Sequence, residues 1–238
     1  MKLFNDDCFK VFDDLLDKSV DCVITDPPYL MDTGGIGKTD LSERQKARRD
    51  NELNALSNFG KDNILKLAEQ VNRVCKKLNF MTFCSKDQIR FWYEAFPDVT
   101  PVVMFWGKSN PMPLVSNTLL SDVEYALYFR EEGVKCYANY RTASRFDITP
   151  VNKKDKEIYN HPTVKPLQII KRYISFMTRE GDTVLDPFMG TGTVGVACVQ
   201  MNRDFVGIEL DTKHYDMAVQ RIHMAQEEKL CQLDLGGI

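Results

Sequence analysis

The chain has 238 residues, 43% of them hydrophobic and 11% aromatic, with a formal net charge of −3. This is enough apolar material for a sizeable core and too much for a disordered chain. A weakly acidic balance excludes a polycation, so any nucleic-acid partner must be held by a local basic face.

In chain order, the N-terminal MKLFNDDCF carries acids where a signal peptide needs an apolar stretch, and no apolar run reaches membrane-spanning length. A soluble, cytoplasmic protein without membrane association is expected. Apolar, β-branched runs predict strands at 20–25, 79–84, 100–106, 123–129, 182–185 and 204–208. Helical spacing predicts helices at 62–78, 86–96, 166–179, 192–201 and 212–227, the first with Ile64, Leu65, Ala68, Val71, Cys75 and Leu78 on one face. Pro166 suits the first turn of the 166–179 helix, and Gly181 follows its end. Strands alternating with helices imply an α/β fold with a doubly wound, mostly parallel sheet. Two stretches break the alternation: 31–60, glycine-rich and then basic, and 130–160, where Arg and Lys mix with aromatics. Long segments of this kind in a domain usually bind something.

The seven cysteines form no C-x-x-C pair and the three histidines are dispersed, which argues against a disulfide framework or a metal site. Several cysteines sit in apolar runs and read as small core residues.

Two segments carry chemistry. In TVLDPFMGTGTVGVACVQ a strand runs into Asp186, Pro187 and Phe188. Gly190, Thr191, Gly192 and Gly195 follow as G-x-G-x-x-G at the start of a helix. Such a turn lets a ligand approach the backbone and offers unpaired N–H groups. Glu209, at the end of the next strand, can accept hydrogen bonds from two ribose hydroxyls. Dinucleotides and S-adenosylmethionine both suit this geometry. Asp186 favours the second, because an acid before the turn repels a pyrophosphate and attracts an α-ammonium.

The other segment is VDCVITDPPYL, which places Asp26, Pro27, Pro28 and Tyr29 at a strand's carboxyl end, the edge where open α/β sheets bind ligands. The Asp26 carboxylate and Pro27 carbonyl can each accept an N–H of an exocyclic amine, drawing its lone pair out of the ring. The carboxylate also offsets positive charge developing on nitrogen, and Tyr29 offers a ring for stacking a flipped base.

With these motifs in order, the sequence resembles the S-adenosylmethionine-dependent DNA amino-methyltransferases of the permuted β class, which methylate adenine N6 or cytosine N4. His161, Pro162, Thr163, Val164, Lys165 and Pro166 resemble the family's motif bordering the cofactor's methionine end. Asn5, Asp6, Asp7 and Cys8 resemble its N-terminal Asp-Cys motif. Residues 105–113, with Lys108 and Asn110, resemble its aromatic–Lys–Asn–Pro segment. The resemblance implies a Rossmann-like sheet of the seven-stranded methyltransferase type in a single domain, with DNA-recognition insertions at 31–60 and 110–160. It implies S-adenosylmethionine as cofactor, DNA as partner, no metal, and leaves a homodimer open. Asp7, Cys8, His161, Thr163, Lys165, Asp186, Pro187, Phe188, Gly190, Thr191, Gly192 and Glu209 are the expected cofactor residues. Arg44, Lys46, Arg48, Arg49, Lys108, Asn110, Arg141 and Arg145 are the expected DNA contacts. Aspartate at position 26 favours adenine. Cytosine N4 methylation, a nicotinamide oxidoreductase and a non-catalytic nucleic-acid-binding subunit are the alternatives.

Overall fold

The computed structural model describes residues 1–29, 59–111, 119–120, 122–139, 143–150 and 165–235. Among these residues fourteen elements follow in order: β1 (Lys2–Phe4), α1 (Cys8–Asp14), β2 (Cys22–Thr25), α2 (Lys61–Val74), β3 (Asn79–Cys84), α3 (Ile89–Ala95), β4 (Val102–Lys108), β5 (Val123–Arg130), β6 (Phe146–Thr149), α4 (Leu167–Met177), β7 (Thr183–Asp186), α5 (Thr193–Gln200), β8 (Asp204–Ile208) and α6 (Thr212–Leu235). The eight strands form one sheet in the order β1-β8-β7-β2-β3-β5-β4-β6, one strand more than the expected type. β5 is antiparallel to both β3 and β4, and every other pairing is parallel.

Successive residues on each strand feed opposite layers. Cys22, Ile24, Met81, Phe83, Val184 and Phe205 join a core beneath α4, α5 and α6. Val23, Phe80, Leu185 and Val206 join a second core beneath α1, α2 and α3. Helices on both faces make the sheet doubly wound. This also explains why β2 and β3 are apolar without alternation: a strand covered on both faces has no solvent side.

The helix starts are set locally. Asp7 caps α1, its Oδ1 accepting the Phe9 N–H at 2.8 Å. Asp211 does the same for α6, accepting from the N–H groups of Lys213 (2.9 Å) and His214 (3.0 Å). Pro166 stands at the cap of α4, one residue before the helix begins. The buried face of α2 is Ile64, Leu67, Ala68, Val71 and Val74. Leu65, expected inside, is exposed, and the helix ends before Cys75 and Leu78. Five cysteines, at 8, 22, 75, 84 and 198, are buried in the cores, as small apolar residues would be.

β7 pairs with β2 on one side and β8 on the other, so the chain winds outward in both directions from the β2–β7 seam. That seam is a topological switch point, where loops diverge above the sheet and leave a crevice. No helix among the described residues is long and apolar enough to cross a membrane.

Candidate active site

The parallel strands deliver their carboxyl ends to one edge: Asn5 after β1, Asp26 after β2, Asp186 ending β7 and Glu209 after β8. Because β5 runs the other way, its first residues reach this same edge and bring Glu124 with them.

On the β7–β8 side, Asp186 is almost fully buried. Its Oδ1 accepts from the Thr25 hydroxyl at 2.8 Å and the Phe188 N–H at 3.1 Å. Burial nevertheless raises its carboxyl to about 7, against the pull of those two bonds. The glycine turn lies directly after it. Gly192 caps α5 with φ +79°, and a Cβ there would lie 2.9 Å from Ala218 Cβ, so a side chain is excluded by backbone and by space alike. At Gly195 a Cβ would come within 2.5 Å of Ile222 and 2.8 Å of Phe205, which lets α5 pack close to both α6 and the sheet. Glu209 Oε2 accepts the Gly190 N–H at 2.9 Å and its Oε1 accepts the Asp211 N–H at 2.8 Å, so the acid ties the turn to the end of β8. Arg221 of α6 donates to the Thr191 carbonyl at 2.6 Å and hydroxyl at 2.8 Å. Asn5 donates to the Glu209 and Leu210 carbonyls at 2.9 and 3.2 Å. Asn5 belongs to the N-terminal motif read in the sequence, whereas nothing in the sequence pointed to Arg221 as a support of the site. Pro187 is buried, and the Phe188 ring meets Phe59 edge to face at 5.2 Å.

On the β2–β3 side, Pro27 is buried and Pro28 half-buried. Gln88, fully buried, donates to the carbonyls of Pro28 (3.0 Å) and Phe59 (3.1 Å), while its Oε1 accepts the Ser85 N–H at 3.1 Å. The tetrapeptide is therefore anchored to the segment after β3. Asp26 Oδ2 receives the Lys165 ammonium at 2.6 Å, and its Oδ1 is buried with no hydrogen-bond partner among the described residues. Lys165 also lies 3.3 Å from the Tyr29 hydroxyl and 3.0 Å from Glu124 Oε2, and Lys108 closes on Glu124 Oε1 at 2.8 Å. Burial lifts Asp26 above the usual carboxylate range, against Lys165. Burial also pushes Glu124 upward, but Lys165 and Lys108 outweigh it and hold that carboxyl down at about 2. The Asp26 and Glu124 carboxylates raise Lys165 despite its burial.

The structure thus brings Asp26, Pro27, Pro28, Tyr29 and Lys165 to one side of the seam, and Asp186, Pro187, Phe188, Gly190, Thr191, Gly192 and Glu209 to the other. Asp7 caps α1, and Cys8 lies in the core below it, its thiol pushed up to about 12 by burial. Of the expected DNA contacts, Lys108 is largely buried on Glu124, Asn110 is half-buried and Arg145 is exposed. Arg44, Lys46, Arg48, Arg49, Arg141, His161 and Thr163 lie outside the described residues. Within the 110–160 span, β5 and β6 are members of the sheet. Glu124 was missed because its place depends on the antiparallel pairing of β5, which no local motif announces.

A buried acid before a glycine turn and an acid at the next strand end fit a ligand with a cationic end and a diol. A family model of the N6/N4 type, described as DNA methylase, matches residues 20–220. Type II methyltransferase M2.LlaDCHI of Lactococcus lactis subsp. cremoris is 28% identical over 242 residues, covering 93% of this chain and 88% of that protein. The crystal structure of the M1.HpyAVI–SAM complex superposes with a TM-score of 0.66 at 25% identity, over 93% of this chain and 98% of that one. PvuII DNA methyltransferase (cytosine-N4-specific) superposes with a TM-score of 0.71 over 92% of this chain and 85% of that one, at 16% identity, a likeness of fold.

Proposed function

The chain belongs to the DNA methylase family, in its β-class amino-methyltransferase branch, and we propose that it methylates the N6 amine of adenine in DNA. S-adenosylmethionine is its cofactor and supplies, when bound, a methyl group on an already electrophilic sulfonium. The observation that carries the reading is Asp26 Oδ1: a buried carboxylate oxygen, without a hydrogen-bond partner among the described residues, at the carboxyl edge of the sheet beside the glycine turn. It suits an incoming N–H donor.

The chain's own residues would act as follows. Asp26 Oδ1 accepts one N–H of the flipped amine and the Pro27 carbonyl the other, which turns the nitrogen lone pair away from the ring. Pro27 and Pro28 bring no backbone N–H to compete for those acceptors. The amine nitrogen would become positive as the methyl–sulfur bond gives way and a neutral thioether is left, and it would then lose one proton to water; the Asp26 carboxylate offsets that charge while it lasts. Asp186 would pair with the cofactor's ammonium and Glu209 with its ribose. Lys165 favours the charged form of Asp26, against the effect of its burial. Aspartate at position 26 supports adenine over cytosine.

The test is methyl transfer from labelled S-adenosylmethionine to unmethylated DNA, with RNA in parallel, followed by nucleoside mass spectrometry. N6-methyladenine in the DNA digest is expected. N4-methylcytosine would overturn the base, and label confined to RNA would overturn the substrate.

A further inference from the structure

We infer that Glu124 is a positioning residue for Asp26, acting through Lys165. The inference deepens the methyl-transfer reading and rests on it. It stands on a row of four charged side chains from four parts of the fold: Lys108 ending β4, Glu124 beginning β5, Lys165 before α4 and Asp26 after β2. The separations along the row are 2.8, 3.0 and 2.6 Å. Side-chain exposures are 18% for Lys108, 17% for Glu124, 7% for Lys165 and 25% for Asp26. Lysine and acid alternate along the row, two of each.

Glu124 has two effects on the reacting edge. The first is geometric. Lys165 sits between two carboxylates and the Tyr29 hydroxyl, and this fixes its ammonium on Asp26 Oδ2. Without Glu124 the ammonium loses its second carboxylate and keeps only Asp26, the Tyr29 hydroxyl and the Phe83 ring among the described residues, so the four-carbon stem can carry it across Oδ1, the oxygen the target amine needs. The second is electrostatic. Removing the Glu124 charge leaves two ammonium groups facing one carboxylate, a net positive site beside a nitrogen that must become positive. In a shielded site that repulsion acts at little screening and raises the barrier to transfer. Asp26 remains the group that touches substrate; Glu124 decides how much of it is available.

The experiment is a double-mutant cycle on the full chain with Glu124→Gln, Lys165→Met and the double variant, read two ways. In single-turnover methyl transfer at saturating cofactor and DNA, Glu124→Gln should slow the step by about tenfold or more while cofactor affinity stays within about twofold. In the Lys165→Met background the same substitution should cost nothing further, because its route to Asp26 is gone. A Glu124→Gln variant keeping more than about half the rate, or losses that multiply in the double variant, would overturn the inference. The second reading is urea unfolding of the same proteins without cofactor or DNA, where the two positions should couple; independent effects would also overturn it. If Glu124→Gln fails to fold, Glu124→Asp carries the same cycle, since it keeps the charge but loses a methylene of reach toward two cations. Wild type without transfer to any nucleic acid would instead overturn the methyl-transfer reading, while the unfolding cycle would still report the pair.

Discussion

Asp186 is a carboxylate that the folded chain makes reluctant to ionise. Burial raises it to about 7, whereas an unfolded aspartate titrates near 4. Between those values the folded state holds a proton that the unfolded state has released. The group therefore contributes stability that is fully present below about pH 4 and is lost as pH rises through about 7. Asp186→Asn keeps an acceptor for Thr25 and for the Phe188 N–H and never ionises. Measured by urea unfolding, wild type should lose more stability from pH 5 to pH 8 than the variant does; parallel pH profiles would remove the assignment. A cationic ligand end reverses the preference, because pairing with an ammonium restores the charged form. Cofactor affinity should thus rise toward pH 7 in wild type and stay flat in the variant. At pH 8 the variant should bind about tenfold to a hundredfold more weakly, the worth of one charged hydrogen bond. Calorimetry across that range checks both.

At the scale of elements, Gln88 shows how a turn is held from outside itself. The sequence suggests a helix over 86–96, which would make Gln88 an ordinary polar position; α3 in fact begins at Ile89, and Gln88 caps it with its side chain turned inward. Gln88→Ala would strip the donor from the Pro28 and Phe59 carbonyls and the acceptor from Ser85. Buried groups left without partners cost about 1–3 kcal/mol, which for a chain of this size lowers Tm by several degrees. Turnover should fall further than the stability loss explains, because the Asp26–Tyr29 segment would lose its anchor while the Asp186 side stays intact. A variant with normal turnover at a temperature where it is fully folded would show the anchor to be dispensable. Other elements were legible in proportion to their burial. β2, β3, β7 and β8 are paired on both edges and covered on both faces, so they read as plain apolar runs. β1 and β6, of three and four residues, are edge strands with mixed exposure and leave no periodic signal. For α2 the spacing identified the helix but put Leu65 on the buried face, where Leu67 sits instead, since neighbouring apolar residues leave the phase ambiguous.

For the whole molecule, the site divides by how its parts are encoded. Asp26–Tyr29 and Asp186–Gly195 were legible because each is a local strand-to-turn solution, whose residues are near neighbours in sequence. The Lys108–Glu124–Lys165–Asp26 row spans 139 residues between its two most distant members and exists only once the sheet is assembled with β5 reversed. Charge works at the same global scale. The chain carries a net −3, so its long-range field does not favour a polyanion, and attraction to DNA has to come from a cluster strong enough locally to prevail. The run Arg44, Lys46, Arg48 and Arg49 is the densest such cluster in the sequence, 15 to 20 residues beyond Tyr29. Each phosphate contact releases counterions and adds about 0.9 to the slope of log K against log salt. Replacing all four with Gln should weaken DNA binding most at low salt and flatten that slope by about two to four, with cofactor affinity unchanged. Fluorescence-anisotropy titrations from low to moderate salt measure it directly. An unaltered slope would place the four residues off the phosphates and leave the electrostatic attraction to the other basic stretch, at 141–156.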